Sequence, residues 1–236
     1  KSYYEYLNSY KYFDTIIGVS ESSIKTFVST FPDSKNKIKL INNFIDVEKI
    51  IKKSRLGVAD IKFDDKKINF LSVGRLSSVK GFDRIIKIAN YYDKDIVFNI
   101  MGDGNEKEKL KNMAKSYKTK NVFLLGARTN PYPYMKKADV FLLTSRSEAY
   151  PTVIIEAMVL NKFIIATDVS GVREILKNYK YKIIVENSEK GIIVGIKKYL
   201  KTKAKLINEK FSNSDFISQN SKNLKKVVDL LNEKKA

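Results

Sequence analysis

Two glutamates eight residues apart, Glu148 and Glu156, interrupt the stretch SRSEAYPTVIIEAM (145–158), which otherwise looks like protein core. A buried carboxylate is costly unless something pairs with it. Vicinal diols, which both ribose and hexose offer, can supply two hydrogen bonds to one carboxylate. Each acid also has a plainer reading. Glu156 could form a buried salt bridge with a Lys or Arg. Glu148 could be an N-terminal helix charge worth roughly 0.3–1 kcal/mol. Pro151 suits a first helical turn. That places Glu148 in the loop before a helix, and Glu156 well inside it. Free N–H groups at Tyr150, Thr152 and Val153 would then point at an anion, as helix starts do.

Four other segments share a strand–glycine–helix pattern. In VGRLSSVKGF (73–82), Gly74 permits a tight turn, and Arg75 and Lys80 flank a polar loop that opens a helix. An Arg fork and a Lys point charge at a helix start suit a pyrophosphate; the alternative is a solvated turn. The P-loop pattern is missing. In MGDGNEKEKL (101–110), Gly102 and Gly104 either let backbone approach a ligand or form a turn capped by Asp103. The third glycine of the dinucleotide fingerprint is absent, which argues against NAD. In LGARTNPYPY (125–134), the loop from Gly126 either presents backbone to a base edge or merely connects. In TDVSGVREIL (167–176), Gly171 repeats the pattern, and Arg173 and Glu174 are expected to pair on the helix surface.

These segments follow short apolar runs. Strands are expected at 14–20, 37–44, 68–73, 96–100, 121–125, 139–144, 163–167 and 182–185. Helices are expected at 21–31, capped by Ser20, and near 81–92, 105–118, 131–137, 151–160, 171–178 and 189–200. Residues 45–65 read as a charged hinge with a short helix. The tail from 203 reads as a Lys-rich helix with Phe211, Phe216, Leu224, Val227, Val228 and Leu231 on its apolar side. Strands that are apolar throughout are buried on both faces. Strict alternation with helices implies an α/β fold with a doubly wound parallel sheet. Ligands of such sheets bind beyond the carboxyl ends of the strands, where all the segments above lie.

Composition narrows the chemistry. The 236 residues contain no Cys and no His. Thiol nucleophiles, disulfides, Ser-His-Asp triads and ordinary zinc sites are therefore excluded. The absence of Cys suits a cytoplasmic protein. No apolar run approaches the roughly 18 residues of a membrane span. The first residue is Lys, so the sequence is expected to be part of a longer protein. Net charge is +19, with 45 Lys and Arg against 26 Asp and Glu. That balance suits anionic ligands, the inner face of a membrane or nucleic acid. Only six of the basic residues are Arg, however, and Lys, Ile and Asn abound, as in proteins of AT-rich genomes.

Taken together, GRLSSVKGFDRII, MGDGNEKEKL, NVFLLGARTNPYPYMKKADVFLLTSRSEAYPTVIIEAMVL and TDVSGVREIL resemble the carboxyl-terminal half of a retaining glycosyltransferase of family 4, with the GT-B fold. The two acids match that family's E-x7-E signature. The resemblance implies that residues 1–46 are the end of an amino-terminal, acceptor-binding domain. Residues 47–236 would be a nucleotide-sugar-binding domain with a helical tail. It further implies roles by position. Arg75 and Lys80 would hold the donor diphosphate, Glu148 the transferred sugar and Glu156 the ribose. The amides of Ala149 to Val153 would add phosphate contacts. Gly126, Ala127 and Arg128 would meet the base. No metal is implied, because protein cations take its place. The departing phosphate would help deprotonate the acceptor, which accommodates the lack of histidine.

The implied donor is a UDP-sugar, with GDP-mannose as the alternative. The implied acceptor is a glycan or lipid-linked sugar of a bacterial capsule, lipopolysaccharide or other surface polysaccharide. Ala149 stands where the family commonly has Gly, and Asn161 and Phe163 stand where it has G-x-P; these touch turn geometry more than chemistry. With little of the acceptor side present, the chain is expected to bind donor but transfer little by itself. Two other readings remain open. One is a nucleotide-sugar-binding module without activity. The other is a basic nucleic-acid binder, for which no RNA-recognition or helix-turn-helix motif is found.

Overall fold

The computed structural model describes residues 9–58, 63–206 and 214–233. Eight strands alternate with helices: β1 (Ile16–Gly18), α1 (Glu21–Thr30), β2 (Ile38–Leu40), α2 (Val47–Ser54), β3 (Ile68–Val73), α3 (Phe82–Ala89), β4 (Ile96–Met101), α4 (Lys107–Ser116), β5 (Val122–Gly126), α5 (Tyr132–Lys137), β6 (Val140–Leu143), α6 (Thr152–Val159), β7 (Phe163–Thr167), α7 (Val172–Ile175), β8 (Lys182–Val185), α8 (Glu189–Leu206) and α9 (Ser214–Glu233).

Strands β3 to β8 form one parallel sheet in the order β5-β4-β3-β6-β7-β8. The cause is visible in the side chains. Every residue of β4, β6 and β7 is buried, so both faces need a helical cover, and helical crossovers make neighbouring strands parallel. Phe70, Phe98 and Phe141 are almost wholly buried at the centre. Tyr199 of α8 sets its ring edge-on to Phe70 at 6.0 Å and against Phe163 at 4.8 Å. The strand order reverses between β3 and β6, where successive crossovers leave in opposite directions. A crevice opens at such a switch point, beyond the strand ends.

A second, two-stranded parallel sheet joins β1 to β2 through α1. Ser20 starts α1 with a reciprocal capping box involving Ser23. Asp46 caps α2 through the Lys49 amide at 2.9 Å, and α2 packs on α5 and α6. The tail helix α9 returns to this crossover: Asn220 accepts from the Ile45 amide at 2.8 Å and donates to its carbonyl at 2.9 Å.

Some expectations shift. Helix α7 is only four residues long rather than 171–178. Leu176, Tyr179 and Tyr181 all turn inward, and the Tyr179 hydroxyl donates to the Lys162 carbonyl at 2.7 Å, which a continued helix would not allow. The apolar side of the tail divides: Leu224 and Val228 are exposed, whereas Asn220 and Asn223 face inward. Phe211 lies outside the described residues. Asn161, where the family would place glycine, adopts a left-handed φ of 54°, which Asn tolerates better than most residues. Among the described residues no helix is long and apolar enough to cross a membrane.

Candidate functional site

The crevice is built by stapling the β3–α3 loop to the β6–α6 loop. Gly81 makes this possible. Its φ is +68°, and a Cβ there would stand 2.2 Å from the Thr144 carbonyl oxygen. The Thr144 hydroxyl donates to the Lys80 carbonyl at 3.0 Å, and the Arg146 amide to the Val79 carbonyl at 2.7 Å. The Arg146 guanidinium donates to the Ser78 carbonyl at 2.6 Å and grips both oxygens of Asp83 at 2.7 and 2.6 Å. Burial pushes the Asp83 carboxyl up, but Arg146 and then Lys87 outweigh it and leave the net pKa below the ordinary value. Behind this fork, Arg84 donates to the Thr144 carbonyl at 3.2 Å and to Asn187 Oδ1 at 2.6 Å.

The staple brings two of the expected functional side chains together. Lys80 Nζ lies 2.6 Å from Glu148 Oε1, with side-chain exposures of 27% and 11%. The pair is thus sheltered enough for a strong charge-assisted bond. The Ser145 hydroxyl donates to the same oxygen at 2.6 Å. Oε2 of Glu148 keeps no donor among the described residues, and Lys80 retains N–H groups beyond the one used. Arg75, at the end of β3, is exposed and makes no ion pair among the described residues. A Cβ on Gly74 would lie 3.7 Å from Lys80 Cδ and Cε, so the turn that carries Arg75 runs beside the Lys80–Glu148 pair.

Helix α6 begins four residues after Glu148. Pro151 precedes it and no side chain caps it, so the first amides, of Thr152 and Val153, remain free for an anion. Glu156 lies further along this helix, half-buried, with no salt bridge or hydrogen bond among the described residues. The buried salt bridge that the sequence left open is not formed. Burial alone raises its pKa to about 7. The neighbouring Tyr132 hydroxyl is pushed up by burial, then by the charges of Glu156 and Asp46.

The glycines of the β4–α4 loop serve a close approach within the protein. A Cβ on Gly102 would lie 1.8 Å from the Gly74 carbonyl oxygen, and one on Gly104 2.5 Å from that of Leu76. The Leu76 amide donates to the Asp103 carbonyl at 2.9 Å, and the Glu106 amide to the Leu76 carbonyl at 2.9 Å. Asp103 accepts from the Gly104 amide at 2.8 Å, a local turn bond. These glycines shape the wall that carries Gly74 and Arg75. Gly126, with φ +72°, ends β5 and its carbonyl accepts from the Gly102 amide at 3.0 Å. Ala127 is exposed beyond it, and Arg128 bonds back to the Ala127 carbonyl at 2.9 Å.

The expected Arg173–Glu174 surface pair is not found. Arg173 grips Asp168 instead, at 2.9 and 2.6 Å, while Glu174 accepts from Asn42 at 2.5 Å. Adjacent residues of a helix do not face each other, so each side chain takes a partner on its own side. Sequence reasoning also missed Arg84, Arg146, Asp83, Thr144 and Asn187, which hold the site together. The one available signal was an Arg two residues before Glu148 and an Asp just after Gly81, both at expected ligand-edge loops.

Residues 57–231 match the family described as "Glycosyl transferases group 1". The N-acetylgalactosamine-N,N'-diacetylbacillosaminyl-diphospho-undecaprenol 4-alpha-N-acetylgalactosaminyltransferase of Campylobacter jejuni is 32% identical over 190 residues, 79% of this chain and 51% of that protein. A glycosyltransferase of Methanocaldococcus jannaschii is 33% identical over 179 residues, 71% of this chain and 43% of that protein. The chain spans about half the length of the curated relatives it matches. The fold is similar to that of Anabaena HepE in complex with UDP and glucose, with a TM-score of 0.76 at 20% identity, over 93% of this chain and 63% of that one.

Proposed function

The chain belongs to the group 1 glycosyl transferases, and from that premise we propose that it forms the donor-binding part of a retaining, family 4 hexosyl- or N-acetylhexosaminyltransferase. The observation that carries this reading is the Lys80–Glu148 pair, which lies beside the Gly74–Arg75 turn and shortly before the uncapped start of α6, at the sheet's switch point.

Glycosyl transfer builds negative charge on a departing diphosphate while the sugar becomes cationic. Lys80, Arg75 and the amides of Thr152 and Val153 are preorganised donors for that charge, the kind of electrostatic stabilisation that acts most strongly in the transition state. Lys80 begins bonded to Glu148. A bound donor would share that lysine, so Glu148 Oε2 receives a sugar hydroxyl while Oε1 keeps the lysine near the phosphates. Glu156, unpaired and half-ionised near pH 7, would accept the ribose diol. The loop from Gly126 through Arg128 would meet the base. The protein cations take the place of a metal, so transfer would not need one. No side-chain base is assigned; the departing phosphate would take the acceptor proton.

UDP is the favoured nucleotide, since the similar Anabaena fold holds UDP and glucose. The name of the Campylobacter relative specifies a lipid diphosphate acceptor and an N-acetylgalactosaminyl product linkage. A lipid-linked acceptor, joined with a net charge of +19, favours work at an anionic membrane surface on the cytoplasmic side. The test is calorimetric titration with UDP for the unmodified chain and for Arg75→Ala and Lys80→Ala. Loss of a charge-assisted bond should weaken binding by about 1.5–3 kcal/mol, roughly ten- to a hundredfold. Equal affinity in all three would overturn the assignment.

A further inference from the structure

We infer that Glu174 is a positioning residue for transfer: its carboxylate locks the amino-terminal segment against the loop that carries Glu148. The contacts run without a break from one side to the other. Glu174 Oε1 accepts from Asn42 Nδ2 at 2.5 Å, and Oε2 from the Glu21 amide at 3.3 Å. The same Asn42 amide donates to the Val19 carbonyl at 3.0 Å. One carboxylate therefore gathers the end of β1, the start of α1 and the residue beyond β2. An anion at the start of α1 is also where the helix dipole favours it.

The donor side meets the same lock. Gly171, with φ +78°, lies so close that a Cβ would stand 2.9 Å from the Ala149 carbonyl oxygen and 3.0 Å from Tyr150 Cα. Ser170 bridges the two sides, donating to the Ala149 carbonyl at 3.3 Å and lying 3.4 Å from the Ser20 hydroxyl. Asn43 Nδ2 reaches the Tyr150 carbonyl at 3.5 Å. The Tyr150 hydroxyl is pushed up to about 12, by burial first and then by the Glu174 charge, which fits their proximity. Arg173 is the nearest cation in sequence that could compete for Glu174, and it is turned away onto Asp168. The carboxylate is thereby left to the donors of the amino-terminal segment. The lock forms the wall of an open cavity of about 580 Å³, also lined by Glu21, Asp168 and Lys177, so water can reach it and it can release.

Arg75, Lys80, Glu148, Glu156 and the amides of Thr152 and Val153 take no part in this lock, which meets Ala149 and Tyr150 at their carbonyl oxygens and where Gly171 passes close. Loosening it should leave donor affinity intact while spoiling the placement of whatever the amino-terminal segment presents. A misplacement of about 1 Å can slow a reaction by roughly a hundredfold. This inference rests on the proposed function, and its test separates the two. Glu174→Ala, Asn42→Asp and the swap Asn42→Asp with Glu174→Gln would be compared. UDP affinity and amide exchange would be read on this chain, and turnover on the complete polypeptide with donor and acceptor. Glu174→Ala and Asn42→Asp should each speed exchange at residues 18–21 and 41–43 by about tenfold. They should lower kcat by about tenfold or more with donor KM within about twofold. The swap reverses donor and acceptor between the two side chains but leaves the Val19 carbonyl without its donor, so it should bring exchange at residue 21 and kcat part of the way back toward the parent. Unchanged kcat in both single variants, a parallel loss of UDP affinity, or a swap that restores nothing would overturn it. Failure of the unmodified chain to bind UDP would instead sink the proposed function, while amide exchange would still read the lock.

Discussion

Replacing Glu156 by Gln should make the unliganded protein more stable and the donor site weaker. Glu156 has no partner among the described residues, and burial lifts its pKa from 4.5 to about 7. One pKa unit is worth about 1.4 kcal/mol, so ionising this carboxyl in the fold costs about 3 kcal/mol. The sign follows from proton linkage. Between pH 4.5 and 7 the folded state holds more protons at this site than the unfolded chain. Stability therefore falls as pH rises through that window and levels off above it. Gln keeps the shape without the charge. The variant should match the parent near pH 4.5 and exceed it by up to ~3 kcal/mol at pH 8, a rise of roughly 6–12 °C in Tm for a chain of this size. Urea unfolding at several pH values reads the free energy, and calorimetry reads UDP. The loss of a charged acceptor should cost UDP about 1.5–3 kcal/mol, roughly ten- to a hundredfold in Kd. Lys162, whose pKa burial lowers to about 8 against the opposing pull of Asp139, affects parent and variant alike and cancels in the difference. A Gln variant no more stable than the parent at pH 8 would refute the burial argument. A more stable variant with unchanged UDP affinity would refute the ribose role.

Other substitutions test neighbouring parts. Glu148→Gln should lower kcat on the complete polypeptide by about a hundredfold, because a transition-state contact is lost; full turnover would refute a transition-state role for Glu148. Gly81→Ala should destabilise by more than about 2 kcal/mol, since a left-handed residue costs about 1–2 kcal/mol before the contact with Thr144 is counted; a neutral result in urea unfolding would contradict the stapled-loop geometry. Arg146→Ala strands Asp83 in a sheltered place and should cost about 1–3 kcal/mol at pH 7. The lowered pKa of Asp83 makes its stabilisation present above the ordinary carboxylate range and lost as pH falls through it. The Arg146→Ala deficit should therefore shrink in acid; a deficit independent of pH would argue against the ion pair.

The sheet was legible because β4, β6 and β7 are apolar at nearly every position, which leaves few alternatives to a doubly covered parallel sheet. The ligand-edge loops followed from strand polarity, and Glu148 and Glu156 stood out because acids are rare in such surroundings. What joins the loops was not legible. Arg146 and Asp83 are 63 residues apart, and a single sequence does not say which of many ions meet. A glycine in sequence shows a need for space or for positive φ, but not what stands opposite. Gly102 and Gly104 therefore read either as an approach to a ligand or as a turn, and their close passage against Gly74 and Leu76 was not legible. Arg173 and Glu174 read as surface partners from adjacency and opposite charge, although neighbours in a helix do not face each other; the helix itself also read longer than it is. Its end is set by Tyr179 and Tyr181 turning into the core, a tertiary effect that overrides the local pattern.

The central claim is that a nucleoside diphosphate binds where β3 and β6 diverge, held by protein cations and not by a metal. Thermal unfolding in UDP, GDP and ADP, each with and without EDTA, tests it most directly. A ligand at about 100 times its Kd should stabilise by roughly 2.7 kcal/mol, a rise of several degrees. The account predicts that rise with one nucleotide, UDP first, unaffected by EDTA and lost in Arg75→Ala. No rise with any of the three, or a rise that EDTA abolishes, would contradict it.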